Sequence, residues 1–181
     1  MGSTTTRLTF EEFERLPEQP GKRELLKGEL IELPPAEEKH NRIAHRLCRR
    51  LEDSLREAHC IREALELGDA RMELGYQLSG NGWVQPDVSV THALQALDKY
   101  FIDAPAIAIE VVSDGNSAED LAFKTDLYFE YGAREVWLVY PKTRQIVVYT
   151  AGIARIIRVN ESLTTPLLPN FAMSVAEILG E

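Results

Sequence analysis

A chain of 181 residues, 44% hydrophobic and 27% charged, is long enough for one substantial core and ordinary for a globular fold. Its formal net charge of −9 gives no global basic footprint, so any contact with nucleic acid has to rest on a local site. No run approaches the roughly 18 apolar residues of a membrane helix, and the opening MGSTTTRLTFEEF lacks a secretory pattern, with Met1 to Ser3 reading as a vector remnant. Cys48 and Cys60 have no metal-ligand spacing and read as two reduced thiols of a cytoplasmic protein.

In chain order, TFEEFERLPE predicts a short leader helix capped by Thr9. After the punctuation of QPGK, RELLKGELIEL predicts two short strands turning at Lys27-Gly28, and Pro34-Pro35 ends them. From Glu37 to His59 the period is helical: His40, Ile43, Ala44, Leu47, Leu51, Leu55 and Ala58 share one stripe. Arg42, Arg46, Arg49, Arg50 and Arg56 spread over the other side, ordinarily a solvated face. REALELGD is ambiguous, whereas ARMELGYQL and GWVQPDVSVT alternate on either side of a Gly80 to Gly82 turn. HALQALDKYF reads as a short helix or a loop.

AIAIEVVS is a nearly continuous apolar run, as a central strand covered on both faces requires. Ser117 to Tyr131 predicts a helix capped by Ser117 with Asp120 three residues on, stopping at Gly132. REVWLVYP is a second central strand, RQIVVYTAG and ARIIRVNE form a hairpin, and LLPNFAMSVAEILGE ends in a short helix. Strand, helix and strand across 106–141 make a βαβ unit, so the two strands are expected to be parallel with a right-handed crossover. The expected fold is α/β (α+β): one domain over 1–181, with a leader at 1–20, a core at 21–141 and additions at 142–181. No G-x-G-x-x-G or G-K-[ST] occurs, which disfavours a nucleotide cofactor.

Two features resist a purely structural reading. Glu110 interrupts the apolar run AIAIEVV, and on the following helix Lys124 shares an arc with Leu121, Leu127, Tyr128 and Tyr131. Burying either charge alone costs several kcal/mol or more. A lysine there can snorkel outward; alternatively the sheet supplies it with carboxylates, from Glu110 and from Asp87 in Gln85-Pro86-Asp87-Val88. Two acids held close repel unless a cation joins them. A hard divalent ion takes one or two carboxylates and a phosphate oxygen, and a nearby ammonium shares the charge building on phosphorus. The acid-acid-lysine trio thus matches metal-assisted phosphodiester hydrolysis.

Proline-aspartate, then an acid inside an apolar strand, then a lysine, resembles the PD-(D/E)XK restriction-endonuclease-like superfamily. The segments TFEEFERLP, RELLKGELIELPP, His40 with its helix, VQPDVSV, IEVVSDGNSAEDLAFKTDLYFEYGAREVWLVYP and LLPNFAMSV are similar, in the same order, to the Uma-type family of endonucleases, long catalogued as a domain of unknown function. The resemblance implies a restriction-endonuclease-like core, a mixed sheet flanked by helices with N-terminal and C-terminal hairpin additions. It further implies that Asp87 and Glu110 hold Mg²⁺ or Mn²⁺ and that the substrate is DNA. Val112 stands where the superfamily has its lysine, and Lys124 is the residue that would serve instead. Glu24 and Glu29 are candidates for a further acid, against the ordinary reading of turn-flanking surface charge. His40 is a candidate to touch phosphate or move a proton, against that of a first-turn histidine. The SDGNS loop would shape the rim.

The expectation is a Mg²⁺-dependent endonuclease, with a homodimer as a plausible assembly and no membrane partner. Two other readings stay open: a catalytically silent or regulatory module of this fold that binds protein or nucleic acid, and a metal-dependent hydrolase of small phosphoesters.

Overall fold

The computed structural model describes residues 7–181, so the expected remnant at Met1 to Ser3 lies outside them. Thr9 opens α1 (Phe10–Glu14) through a capping box, its hydroxyl accepting from Glu12 N and its own N–H donating to Glu12 Oε2. β1 (Lys22–Leu26) and β2 (Glu29–Leu33) form the predicted hairpin. Its two turn residues, Lys27 at φ 53° and Gly28 at φ 82°, have the paired positive dihedrals that match a two-residue turn to strand twist. α2 (Glu38–Cys60) buries the predicted stripe from Ile43 to Ala58, with half-buried His40 at its start.

The two alternating segments are each cut. ARMELGYQL divides between β3 (Leu67–Met72) and β4 (Tyr76–Ser79), with Glu73 at φ 48° in the break. GWVQPDVSVT divides between β5 (Gly82–Val84) and β6 (Val88–His92), because Pro86 has no N–H for a ladder. HALQALDKYF is a loop apart from a bridge between Phe101 and Tyr76. Next come β7 (Ile107–Val111), α3 (Ala118–Glu130), β8 (Glu135–Tyr140), β9 (Gln145–Thr150) and β10 (Ile153–Arg158). The tail adds β11 (Ser162–Thr165), β12 (Leu168–Ser174) and α4 (Val175–Leu179). The β11–β12 ribbon was not expected, the sequence having indicated only a short helix at this end.

The main sheet has six strands in the order β10-β9-β8-β7-β6-β3, and β7 with β8 is its parallel pair. The C-terminal hairpin thus extends this sheet through β9 rather than standing apart. A four-stranded sheet, β2-β1-β5-β4, incorporates the N-terminal hairpin. α2, α4 and the ribbon cover one face of the main sheet, where Ile107, Ile109, Trp137, Val139, Phe171 and Ile178 join one core. α3 and the smaller sheet cover the other, where Ala108, Val136 and Leu138 meet Leu26, Tyr76, Val84, Leu121 and Tyr128. Successive strand side chains alternate faces, so Glu110 shares the face of Ala108 and lies beneath α3 and the smaller sheet. Among the described residues, no helix is long and apolar enough to cross a membrane.

Candidate functional site

Five charged side chains from both sheets and α3 meet where Glu110 is buried. Asp87 follows Pro86 in the three-residue link between β5 and β6, and is buried with Glu110, Glu24 and Lys124. Lys124 Nζ lies 2.6 Å from Glu110 Oε1 and 2.8 Å from Glu24 Oε1. Its side chain is 2% exposed, so it does not snorkel. Lys22 Nζ lies 3.0 Å from Asp87 Oδ1, 3.7 Å from Glu24 Oε1 and 3.9 Å from Glu110 Oε2. His40 Nε2 stands 3.3 Å from Asp87 Oδ2.

Protein donors pin one oxygen of each candidate metal ligand. Asp87 Oδ2 accepts from Val111 N at 2.7 Å and faces His40. Glu110 Oε1 accepts from Tyr128 Oη at 2.7 Å as well as meeting Lys124. The other two oxygens, Asp87 Oδ1 and Glu110 Oε2, both face Lys22. Glu24 is anchored by Gln85 N at 2.9 Å, which ties β1 to the link carrying Asp87.

Lys22, His40, Asp87 and Glu110 line a cavity of about 720 Å³. Its rim includes Lys39, Asn41, Lys142 and, as the sequence suggested, Asp114, Gly115 and Asn116 of the SDGNS loop. Lys124 sits behind this wall and does not line the cavity.

The electrostatics differ between the two acids. Burial pushes Asp87 up, but Lys22 and then His40 outweigh it and hold the carboxyl below its ordinary range. Burial pushes Glu110 up and prevails over Lys124 and Lys22, with Asp87 and Glu24 adding to the rise. Glu24 is lowered, because Lys124 and Lys22 overcome its burial. His40 is raised, mainly by its hydrogen bond to Asp87. Lys22 is raised as well: burial disfavours its charge, but Glu110, Glu24 and Asp87 more than compensate.

The sequence-based set is thus largely brought together: Asp87, Glu110 and His40 at the cavity, and Lys124 against Glu110. Glu29 is the exception. It stands exposed at the turn end of the hairpin, opposite Leu26, so Glu24 is the hairpin acid that reaches the cluster. Lys124 contacts Glu24 and Glu110 rather than Asp87, and the ammonium at Asp87 comes from Lys22, which the sequence reading passed over. A signal existed: Lys22, Glu24 and apolar Leu26 alternate on one strand face, which places two charges on the side that leads inward.

Among the described residues, no group of three or more His, Cys, Asp or Glu side chains stands ready to hold a metal ion. The donor chemistry nevertheless fits a hard divalent ion. Two carboxylates, each with one oxygen engaged by Lys22 alone, offer the donors that a magnesium site that keeps its waters and takes up a phosphate requires.

Residues 10–176 match the Uma2 family, described as "Putative restriction endonuclease". No curated protein matches the chain significantly. Among solved structures, that of "a putative nuclease belonging to DUF820" from Anabaena variabilis ATCC 29413 is similar with a TM-score of 0.81 at 20% identity, covering 96% of this chain and 98% of that one. With a mixed sheet flanked by helices and a family match over nearly its whole length, the chain belongs to the Uma2 family and has a restriction-endonuclease-like fold.

Proposed function

We propose that the protein is a Mg²⁺-dependent endonuclease that hydrolyses phosphodiester bonds of DNA. The observation that carries this reading is the pair of oxygens, Asp87 Oδ1 and Glu110 Oε2, turned toward one cation at a cavity wall. Asp87 and Glu110 would hold the ion, which when bound lowers the pKa of water and stabilises charge on phosphorus.

The protein's own groups divide the remaining work. Val111 N and Tyr128 Oη fix the two carboxylates, so that each presents a single oxygen. Lys124 neutralises Glu24 and Glu110 from behind and keeps three acids compatible in one pocket. His40, its pKa raised by the hydrogen bond to Asp87, lines the cavity and would pass a proton to the leaving oxygen. Two such sites related by two-fold symmetry would suit cleavage of both strands. The free cysteines, with Cys48 buried and its thiol pushed up to about 11, suit a reducing cytoplasm.

The test is incubation of plasmid and linear DNA with Mg²⁺ or Mn²⁺, beside Asp87→Asn and Glu110→Gln. Cleavage is expected to fall by about 10²-fold or more in each variant. Activity that survives both substitutions would assign it to a contaminant and overturn the reading. The net charge of −9 favours a second reading, a hydrolase of small phosphoesters. It predicts hydrolysis of chromogenic phosphodiesters while duplex DNA is spared.

A further inference from the structure

We infer that Lys22 is a built-in counter-ion competing with the divalent cation for the same two carboxylate oxygens, so that metal binding requires its side chain to turn away. The inference rests on the metal-dependent reading above and concerns what Lys22 does at that site.

Three observations carry it. Asp87 Oδ2 and Glu110 Oε1 are saturated by Val111, His40, Tyr128 and Lys124, whereas Asp87 Oδ1 and Glu110 Oε2 are left to Lys22 Nζ at 3.0 and 3.9 Å. These two oxygens are the ones a metal would use. Second, the two lysines differ in freedom. Lys124 is held between two buried carboxylates at 2% exposure, while Lys22 is 17% exposed, begins its strand and lines the cavity, so it has somewhere to go.

The third observation is the charge balance. With His40 neutral, Glu24, Asp87 and Glu110 against Lys22 and Lys124 leave one formal negative charge. With Lys22 turned into the cavity two remain, which is the charge a divalent ion cancels. A bare pair of acids would repel and loosen the site. Lys22 therefore keeps the metal-free pocket folded and lowers apparent metal affinity by the fraction of time it occupies the oxygens. Once turned out it lies in the space a phosphate would enter.

The experiment measures Mn²⁺ affinity by titration calorimetry and by the free-ion electron paramagnetic resonance signal. Wild type is compared with Lys22→Met, with Lys39→Met as a control for losing any positive charge at the cavity rim, and with Asp87→Asn. Lys22→Met is expected to bind about tenfold tighter or more, as when the Lys22-engaged form outnumbers the open one tenfold. Lys39→Met is expected to move affinity much less. Thermal melts give a second readout: without metal, Lys22→Met melts below wild type, and Mn²⁺ raises its midpoint by more than it raises that of wild type. Asp87-dependent binding in wild type that is no tighter in Lys22→Met than in Lys39→Met overturns the inference and leaves the metal site standing. If neither wild type nor Lys22→Met binds Mn²⁺ in an Asp87-dependent way, the metal-dependent reading falls and this inference with it.

Discussion

Replacing Lys124 with Met keeps the length of the side chain and deletes its charge, which isolates what the buried ammonium contributes. In the native protein it lies 2.8 Å from Glu24 and 2.6 Å from Glu110, out of reach of solvent. Removing one partner of a buried ion pair costs about 3–5 kcal/mol, because the other charge stays desolvated. Here both acids retain help: Glu24 keeps Gln85 N and Lys22, and Glu110 keeps the Tyr128 hydroxyl. Glu110 can also take up a proton, a step its burial already favours. The lower end of the range, about 3 kcal/mol, is therefore expected, or roughly 6–12 °C in melting midpoint for a chain of this size.

The loss should depend on pH with a definite sign. In wild type the Glu24 carboxyl is lowered on folding, so its contribution is present above the unfolded value near 4.3 and disappears as pH falls through the folded one. In Lys124→Met the buried carboxyls rise above their unfolded values, so the variant is favoured when they are protonated and loses stability as pH increases. The gap to wild type should accordingly widen from pH 5 to pH 8, as read by urea unfolding followed by circular dichroism. A gap below about 1 kcal/mol at pH 8, or one that is the same at both pH values, would refute the claim that this ammonium is a buried counter-ion.

The two remaining predictions test neighbouring parts of the fold. The folded His40 value is raised, so its interaction with Asp87 stabilises the protein fully below the unfolded value near 6.5 and is lost as pH rises through the folded value; wild type should exceed His40→Gln by about 1 kcal/mol or less at pH 6, with the difference shrinking toward pH 9 in urea unfolding. Ser117 caps α3 by accepting from Asp120 N at 3.0 Å; Ser117→Ala should cost about 1 kcal/mol, seen as a drop of roughly 2–4 °C in a thermal melt.

Local rules carried most of the main sheet's reading. The apolar run at β7, the Ser117 cap, the stop at Gly132 and the apolar run at β8 all act within a few residues, and together they specify the βαβ unit. Lys124 was traceable for the same reason, since its arc on α3 is fixed by Leu121, Leu127 and Tyr128. The smaller sheet was less legible. Its strands come from two separated hairpins, and β5 meets β1 through Leu25 and Trp83, more than fifty positions apart. Nothing local announces that pairing, so the sequence could not choose between Glu24 and Glu29 or bring Lys22 to Asp87. Alternation showed which residues shared a strand face; long-range pairing decided which face met the cluster.

The link that carries Asp87 has a consequence for how the molecule is built. Glu24 and Lys22 belong to one sheet, Glu110 to the other, Lys124 to the crossover helix, and Asp87 to the joint between the sheets, which Gln85 N clasps to Glu24. The five residues span positions 22 to 124 and come from separate elements, so they stand together only where the two layers meet. Undocking the two layers would therefore disperse these side chains all at once, whichever element moved.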